Sequence, residues 1–267
     1  MGSRTTGDTM RARVSLSLIR DFELRQGDTT VDIPPGSQRL VAFLALHGGP
    51  ARRSYVSGTL WPDSTEARAA ANLRSTLWRI AAPVRGHFVE ASATHVWLKP
   101  GVEVDLTRIM NNAHAVLDRG AGGPSLVGVT RELAAFGDDV LAGWYDEWVI
   151  MERERFRQLR LHALDRLGEQ LIAAHRHAEA LQAALAAVRA DPLRESAHRL
   201  LVRTHLNEGN VAEAIRQYRF YARLLDSELG ARPSPAMEDL VGEYTGGLAG
   251  ANLPAARRSF APRAALA

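Results

Sequence analysis

The chain has 267 residues, 46% of them hydrophobic, enough to bury one large core or two ordinary ones. It contains no cysteine, which excludes disulfides, thiolate zinc sites and thiol nucleophiles. The net charge is only +3 although the pI is near 9.7, and Lys99 is the single lysine, an arginine bias that a GC-rich genome also produces, so total charge says little about partners.

Residues 14 to 33 read as short strands. "VSLSLI" alternates, "FELRQGDTTVDI" turns at Gly27-Asp28, and Pro34-Pro35 ends the run. Helix follows in "SQRLVAFLALH", with Leu40, Phe43, Leu44 and Leu46 crowding one side and Gly48-Gly49-Pro50 as the stop. A second short helix runs from about Arg53 to Trp61. The third is "DSTEARAAANLRSTLWRIAAP", where Asp63, Ser64 or Thr65 can cap and Glu66 lies near the positive end. After Pro83 the pattern returns to strand, and Phe88-Val89 and Val96 to Leu98 flank the hairpin tip "EASATH". Three helices followed by a hairpin is the layout of a winged helix, here of the subtype preceded by strands that response-regulator effector domains use.

From Asp105 onward the expectation is all helix: "DLTRIMNNAHAVLDRG", a loop from Gly120 to Ser125, "LVGVTRELAAFG", and a long helix from about Glu147 to His175. "AEALQAALAAVRAD", "RESAHRLLVRTHLNEG", "VAEAIRQYRFYARLLDSELG" and a last helix after Pro235 complete the series. "AEAL" at Ala178 and "AEAI" at Ala212 lie one tetratricopeptide period apart, about 34 residues. Leu167 then matches Leu201, and Leu171 matches His205, a partial repeat. Small residues at Ala178, Ala180, Ala212 and Ala214 are expected to let helices approach closely. The fold class is therefore mainly α with a small β component. Its parts are a flexible N-terminus (1–13), a winged-helix domain (14–104), a tetratricopeptide-like helical domain (105–246) and a disordered tail (247–267).

Charge is unevenly spread. Residues 36 to 86 hold seven arginines against Asp63 and Glu66, whereas in residues 146 to 190 seven arginines meet seven acids. A locally basic three-helix unit suits nucleic acid, and a solvated basic face would look the same. The third helix separates the two readings further. Leu73, Leu77 and Ile80 make one apolar stripe, and Arg68, Asn72, Ser75 and Arg79 make a second stripe nearly opposite, with Thr76 beside it. This polar stripe carries no acid after Glu66, though a water-facing helix usually mixes in Glu for i,i+4 pairing. Arginine can take guanine O6 and N7, asparagine can take adenine, and hydroxyls serve bases or phosphates. Trp78 is expected to pack at the edge of the core or to shield a phosphate contact. Trp61 and Trp97 are expected to fill the core between helix and wing.

"LWPDSTEARAAANLRSTLWRI" resembles the third-helix region of the Streptomyces antibiotic regulatory proteins and related bacterial transcriptional activator domain proteins. "GDDVLAGWYDEWVIMERERFRQLRLHALDRLGEQL" is similar to the start of their activator domain, and "DPLRESAHRLLVRTHLNEGNVAEAIRQYRFYARLLDSELGARPSP" to their repeats. The resemblance covers residues 14 to 245. It implies a transcriptional activator of biosynthetic gene clusters that binds direct repeats in double-stranded DNA near the −35 element. It also implies side-by-side protomers and contact with RNA polymerase holoenzyme, sigma factor included. Carried onto this chain, it makes Asn72, Arg74, Ser75, Thr76 and Arg79 candidate DNA contacts, beside Arg68 on the same stripe. Arg52 and Arg53 open the second helix, where phosphates are met, and Thr94 and His95 lie at the wing tip. The tip departs from the pattern in lacking arginine or lysine. With no G-x-x-x-x-G-K-[ST] in 267 residues, the expectation is the short form without an ATPase module.

The remaining chemistry reads as bland. His175, His177, His198 and His205 lack metal spacing with a carboxylate, and H-E-x-x-H is absent, so solvated or packing histidines are expected. Asp138-Asp139 and Asp146-Glu147 precede helices and are expected to cap them. No nucleophile elbow, paired-acid site or phosphate loop is found, and the expectation is a non-enzyme with no cofactor and no metal. No secretory signal or apolar run of about 18 residues is visible, which fits a cytoplasmic, nucleoid-associated protein with no membrane partner. A DNA-binding repressor and a repeat-based protein adaptor remain as rivals.

Overall fold

The computed structural model describes residues 13–80, 88–118, 128 and 140–245. The expectations for the N-terminus, Arg85, the 120–125 loop, the 126–137 helix, Asp138-Asp139 and the tail fall outside these residues, apart from the end of the N-terminal segment at Arg13 and Gly128 of that helix. Contacts gather the chain into two compact units, residues 1–192 and 193–267.

The first unit opens with β1 (Val14–Ser17), β2 (Glu23–Gln26) and β3 (Thr29–Thr30). β1 pairs antiparallel with β2 from Val14↔Gln26 to Ser17↔Glu23, and β2 pairs with β3 across the expected Gly27-Asp28 turn. Helix α1 (Pro35–His47) starts on a proline and stops at Gly48, whose left-handed φ of 74° lets its N–H cap the Leu44 carbonyl. Leu40, Val41, Ala42, Phe43, Leu44 and Ala45 are all buried, so α1 is enclosed nearly all round rather than along one side. β4 (Ala51–Arg52), α2 (Arg53–Leu60), α3 (Glu66–Arg79), β5 (Val89–Ala91) and β6 (His95–Leu98) follow. β5 and β6 form the expected hairpin, and β6 also pairs with β4 in a three-stranded sheet. Three helices and this sheet make the winged-helix arrangement.

Two strands of two residues each escape sequence periodicity. They are β4 and β7 (Glu103–Val104), which pairs parallel with β1 at Ser15↔Glu103 and Leu16↔Val104. β7 runs directly into α4 (Asp105–Asp118). The Asp105 carboxylate accepts hydrogen bonds from Ser17 Oγ at 2.6 Å, from the Leu18 and Ile19 amides at 3.0 and 3.3 Å, and from the Leu106 amide at 2.6 Å. One carboxylate thus satisfies the end of β1 and the start of α4 together.

A second clasp lies before α5 (Glu147–Ala173). The Leu141 amide donates to Leu18 O at 2.7 Å, and Ala142 donates to Arg20 O at 2.5 Å. The Arg153 fork reaches back from α5 to the carbonyls of Val140, Leu141 and Trp144 at 3.0, 2.9 and 3.2 Å. Asp146 pairs with Arg39 of α1, and Trp148 meets Phe43 edge-on at 5.4 Å between ring centroids. The "GWYDEW" stretch is therefore a weld between the helical region and α1. Asp146 stands at the N-cap position as expected, but its side chain makes no cap hydrogen bond and is spent on Arg39 instead. These contacts place the expected module boundary at 104/105 inside the first unit.

α5 packs on α6 (His177–Ala190), which buries Ala180, Ala183, Ala184, Ala186 and Ala187. In the second unit α7 (Glu195–Asn207), α8 (Val211–Leu229) and α9 (Pro235–Thr245) enclose Val202, Ala214, Tyr221, Leu225, Met237 and Val241. Of the four small residues, Ala180 and Ala214 are buried and allow close approach, while Ala178 and Ala212 face solvent. The repeat partners Leu167 and Leu201 are both buried. His198 is fully buried, stacks on Tyr221 at 4.4 Å and shares a 2.7 Å hydrogen bond with Gln217 through Nδ1, so it packs as expected.

Candidate nucleic-acid interface

α3 forms because residues 66–79 hold four alanines, two leucines and three arginines, all strong helix formers, with Glu66 at the positive end and Arg79 at the negative end. Thr65 occupies the N-cap position without a side-chain cap bond. Leu73, Leu77 and Ile80 are buried as their spacing requires, joined by Ala69 and Thr76. Thr76 is only 5% exposed, which corrects its expected place beside the polar stripe. At about 100° per residue it lies some 60° from Leu73, within the arc that α1 and α2 cover. A hydroxyl there cannot reach a groove.

Arg68, Arg74, Ser75 and Arg79 are exposed on the outer side of α3, and Asn72 is half-buried beside them. The wing reaches the same region through β4. In register, Arg52 opposes His95 and Ala51 opposes Val96, and the Arg53 amide donates to Thr94 O at 2.9 Å. The tip itself is tied by Ser92, whose Oγ accepts from the Thr94 and His95 amides at 3.3 and 3.0 Å. Thr94 Oγ1 lies 2.9 Å from His95 Nδ1. Arg52, Arg53, Ser54, Ala93, Thr94 and His95 consequently line one open cleft. A second cleft shares Arg53, Ser54 and Ala93 with it and extends to Glu66, Ala70 and Arg74. The two clefts bring together Arg52, Arg53, Arg74, Thr94 and His95. Arg68, Asn72, Ser75 and Arg79 line neither and stand on the neighbouring helix face.

Electrostatics separate these arginines from others in the unit. Arg25 pairs with Glu23, Arg39 with Asp146 and Arg157 with Glu154 and Asp191. Among the described residues, no carboxylate lies within ion-pair distance of Arg52, Arg53, Arg68, Arg74 or Arg79. Arg53 Nε is shielded from water with no hydrogen-bond partner. Arg39, one of the seven arginines of the basic stretch, is a structural ion pair, and Arg85 lies outside the described residues, so the unpaired excess described here comes from the remaining five around α2, α3 and the wing. Arg52, Arg53 and Arg74 line adjoining clefts with one acid, Glu66, in the lining, and Arg68 and Arg79 stand on the neighbouring helix face, so arginine outnumbers acid and the surface potential is positive. A polyanion is the ligand class that relieves it.

Some residues of this region gave no signal in the sequence. Ser54 enters both clefts only because β4 and β6 pair, and Ser92 shapes the tip through a local turn that many loops could make. Trp78 is 80% exposed, which corrects the first of its two expected places, the edge of the core, and leaves the shielding of a phosphate contact as the other. Trp61 and Trp97 are half-buried rather than central to a core. No helix among the described residues is long and apolar enough to cross a membrane.

Comparison with known proteins places this geometry. The family model described as bacterial transcriptional activator domain matches residues 104–243, just over half of the chain. The chain belongs to that family. The match accords with the resemblance to bacterial transcriptional activator domain proteins carried by the helical half. The chain is 29% identical over 225 residues to the regulatory protein AfsR of Streptomyces coelicolor, covering 81% of this chain and 22% of that protein. The AfsR of Streptomyces griseus is 26% identical over 205 residues, covering 75% of this chain and 21% of its own length. The chain thus spans about a fifth of the curated relatives it matches. Among solved structures, Mycobacterium tuberculosis EmbR in complex with a low-affinity phosphopeptide superposes with a TM-score of 0.71 at 20% identity. That match covers 88% of this chain and 65% of EmbR, and it shows a shared fold.

Proposed function

We propose that this family member is a sequence-specific DNA-binding activator of transcription. The observation that carries the reading is the cluster of five arginines without carboxylate partners on α2, α3 and the wing root. In this reading residues 14–104 are the DNA-binding module. Arg52, Arg53, Thr94 and His95 hold the phosphate backbone beside the groove, and Arg68, Asn72, Arg74, Ser75 and Arg79 face base edges or flanking phosphates. Residues 105–246 join neighbouring protomers and engage RNA polymerase holoenzyme, including its sigma factor. The operator is a direct repeat near the −35 element of a biosynthetic gene cluster. Protomers facing the same way on a direct repeat meet through a heterologous contact, with half-sites about 10–11 bp apart.

The test is a footprint on promoters adjoining the gene, with and without RNA polymerase holoenzyme. Protection of a direct repeat touching the −35 element, strengthened by polymerase, is the expected result. Protection that competes with polymerase makes the protein a repressor. No protection on any promoter, with no salt-dependent DNA affinity, makes it a protein adaptor and overturns the reading.

A further inference from the structure

Trp78 is the most exposed of the five tryptophans, since Trp61, Trp97, Trp144 and Trp148 are all half-buried. It is neither a core residue nor part of the wing. At about 100° per residue it projects some 40° from Arg74 and some 60° from Ser75, in the middle of the outward arc of α3. No acid shares that arc, and the arginines bordering it have no carboxylate partners among the described residues. An indole left 80% in water holds apolar surface whose burial against a ligand would be favourable. The surrounding charge selects the cover: a polyanion is drawn to this arc, and a basic or neutral protein surface is not.

We infer that Trp78 is itself a DNA contact, one that reads apolar rather than charged surface. The inference rests on the proposed DNA-binding function and deepens it. DNA offers apolar surface in two places, the thymine 5-methyl group in the major groove and the C–H face of deoxyribose. An indole seated between Arg74 and Arg79 meets either one while the guanidinium groups hold phosphates or guanine. Its contribution releases no counterions, so it adds affinity without changing the salt dependence. In this it differs from every arginine around it.

The experiment measures binding of the whole protein, by fluorescence anisotropy, to three kinds of duplex: the footprinted sequence, a series in which each thymine in turn is replaced by deoxyuridine, and a random sequence. Trp78→Ala should weaken binding to the footprinted duplex about tenfold, the effect of roughly 55 Å² of apolar surface left in water. The slope of log K against log salt should stay as in the unaltered protein. If one deoxyuridine costs the unaltered protein the same factor and costs Trp78→Ala nothing, the surface read is a thymine methyl. Equal loss on every duplex without a deoxyuridine effect assigns deoxyribose. Trp78→Phe, which keeps a flat apolar ring, should retain most of the affinity. Iodide quenching gives an independent readout, because the accessible part of the tryptophan emission should be protected by DNA and missing from Trp78→Phe. The inference is overturned if Trp78→Ala binds as tightly as the unaltered protein, or if iodide still reaches the indole on DNA. Loss confined to the polymerase-containing complex also overturns it, since the cover is then a protein. No salt-dependent binding by the unaltered protein is a different failure, that of the DNA-binding reading itself.

Discussion

Arg53 offers the sharpest test of the interface, because it lines both clefts and its Nε has no hydrogen-bond partner. If Arg52, Arg53, Arg68 and Arg74 each neutralise one phosphate while Arg79 reads a base, log K should fall against log salt with a slope of about −3.6 per protomer, at about 0.9 per phosphate. Raising salt from about 50 to about 200 mM then weakens binding about 150-fold. Arg53→Ala removes one of those contacts, so the slope should become about −2.7 and the same change in salt should cost only about 40-fold. Stability should hold within about 0.5 kcal/mol, since no carboxylate is orphaned by the substitution. Anisotropy titrations on a random-sequence duplex across this salt range supply both slopes, and a urea melt supplies the control. An affinity loss with an unchanged slope would refute the idea that Arg53 meets a phosphate. A slope for the unaltered protein shallower than about −2 would refute the wider claim that the unpaired arginines face DNA.

Arg79→Ala should cost ~1–3 kcal/mol on the operator and relax specificity at one base pair; equal loss on random DNA would make Arg79 a phosphate contact instead. In a double-mutant cycle of Arg39→Met with Asp146→Asn, a coupling of about 1–2 kcal/mol is expected for this part-buried pair, discounted for exposure of about a third of Arg39. A coupling near zero in urea melts would mean that the ion pair adds nothing to the clasp, which its backbone hydrogen bonds and the Phe43–Trp148 contact then hold. A fragment ending at 104 lacks Asp105, the 140–146 clasp and Trp148, so it should melt less cooperatively than one ending at 192; matching melting curves would show that the clasp adds nothing. Hydrogen bonds from Arg157 and then from Gln158 hold the Glu154 carboxyl down at about 2. The lowered value means the charged form is favoured on folding, so this stabilisation is complete above about pH 4.5 and fades as pH falls towards 2. An NMR titration should place the Glu154 midpoint near 2 and return it towards 4.5 in Arg157→Met; a midpoint unmoved by that change would rule out the pairing.

Most elements were legible in the sequence because their signals are local. Leu73, Leu77 and Ile80 fix one side of α3 by spacing alone, Gly48 ends α1 through its backbone freedom, and Gly27-Asp28 turns the first hairpin. The long helix, the alanine-rich helix and the repeat were equally readable, since a 3.6-residue period needs no knowledge of partners. The polar stripe of Arg68, Asn72, Ser75 and Arg79 followed from the same arithmetic. That arithmetic could not place Thr76, whose position between the arcs is decided by what α1 and α2 cover.

What the sequence determined by itself is the order and phase of the helices, the hairpin, and the basic stretch with only Asp63 and Glu66 as acids, all set by neighbours within a few residues. Only the tertiary structure decided which residues meet. β4 carries Arg52 and Arg53 to the wing tip by pairing Ala51 with Val96 and Arg52 with His95, residues far apart in sequence. Asp105 and Asp146 both stand at helix starts, yet Asp105 ties down β1 as well as the Leu106 amide and Asp146 is spent on Arg39, because a carboxylate near a helix start takes whichever donor packing brings to it. The arginines look alike in sequence. Their surroundings distinguish them: the ion pair with Asp146 makes Arg39 structural, and the lack of any carboxylate within ion-pair distance, among the described residues, leaves Arg53 and its neighbours available to a ligand.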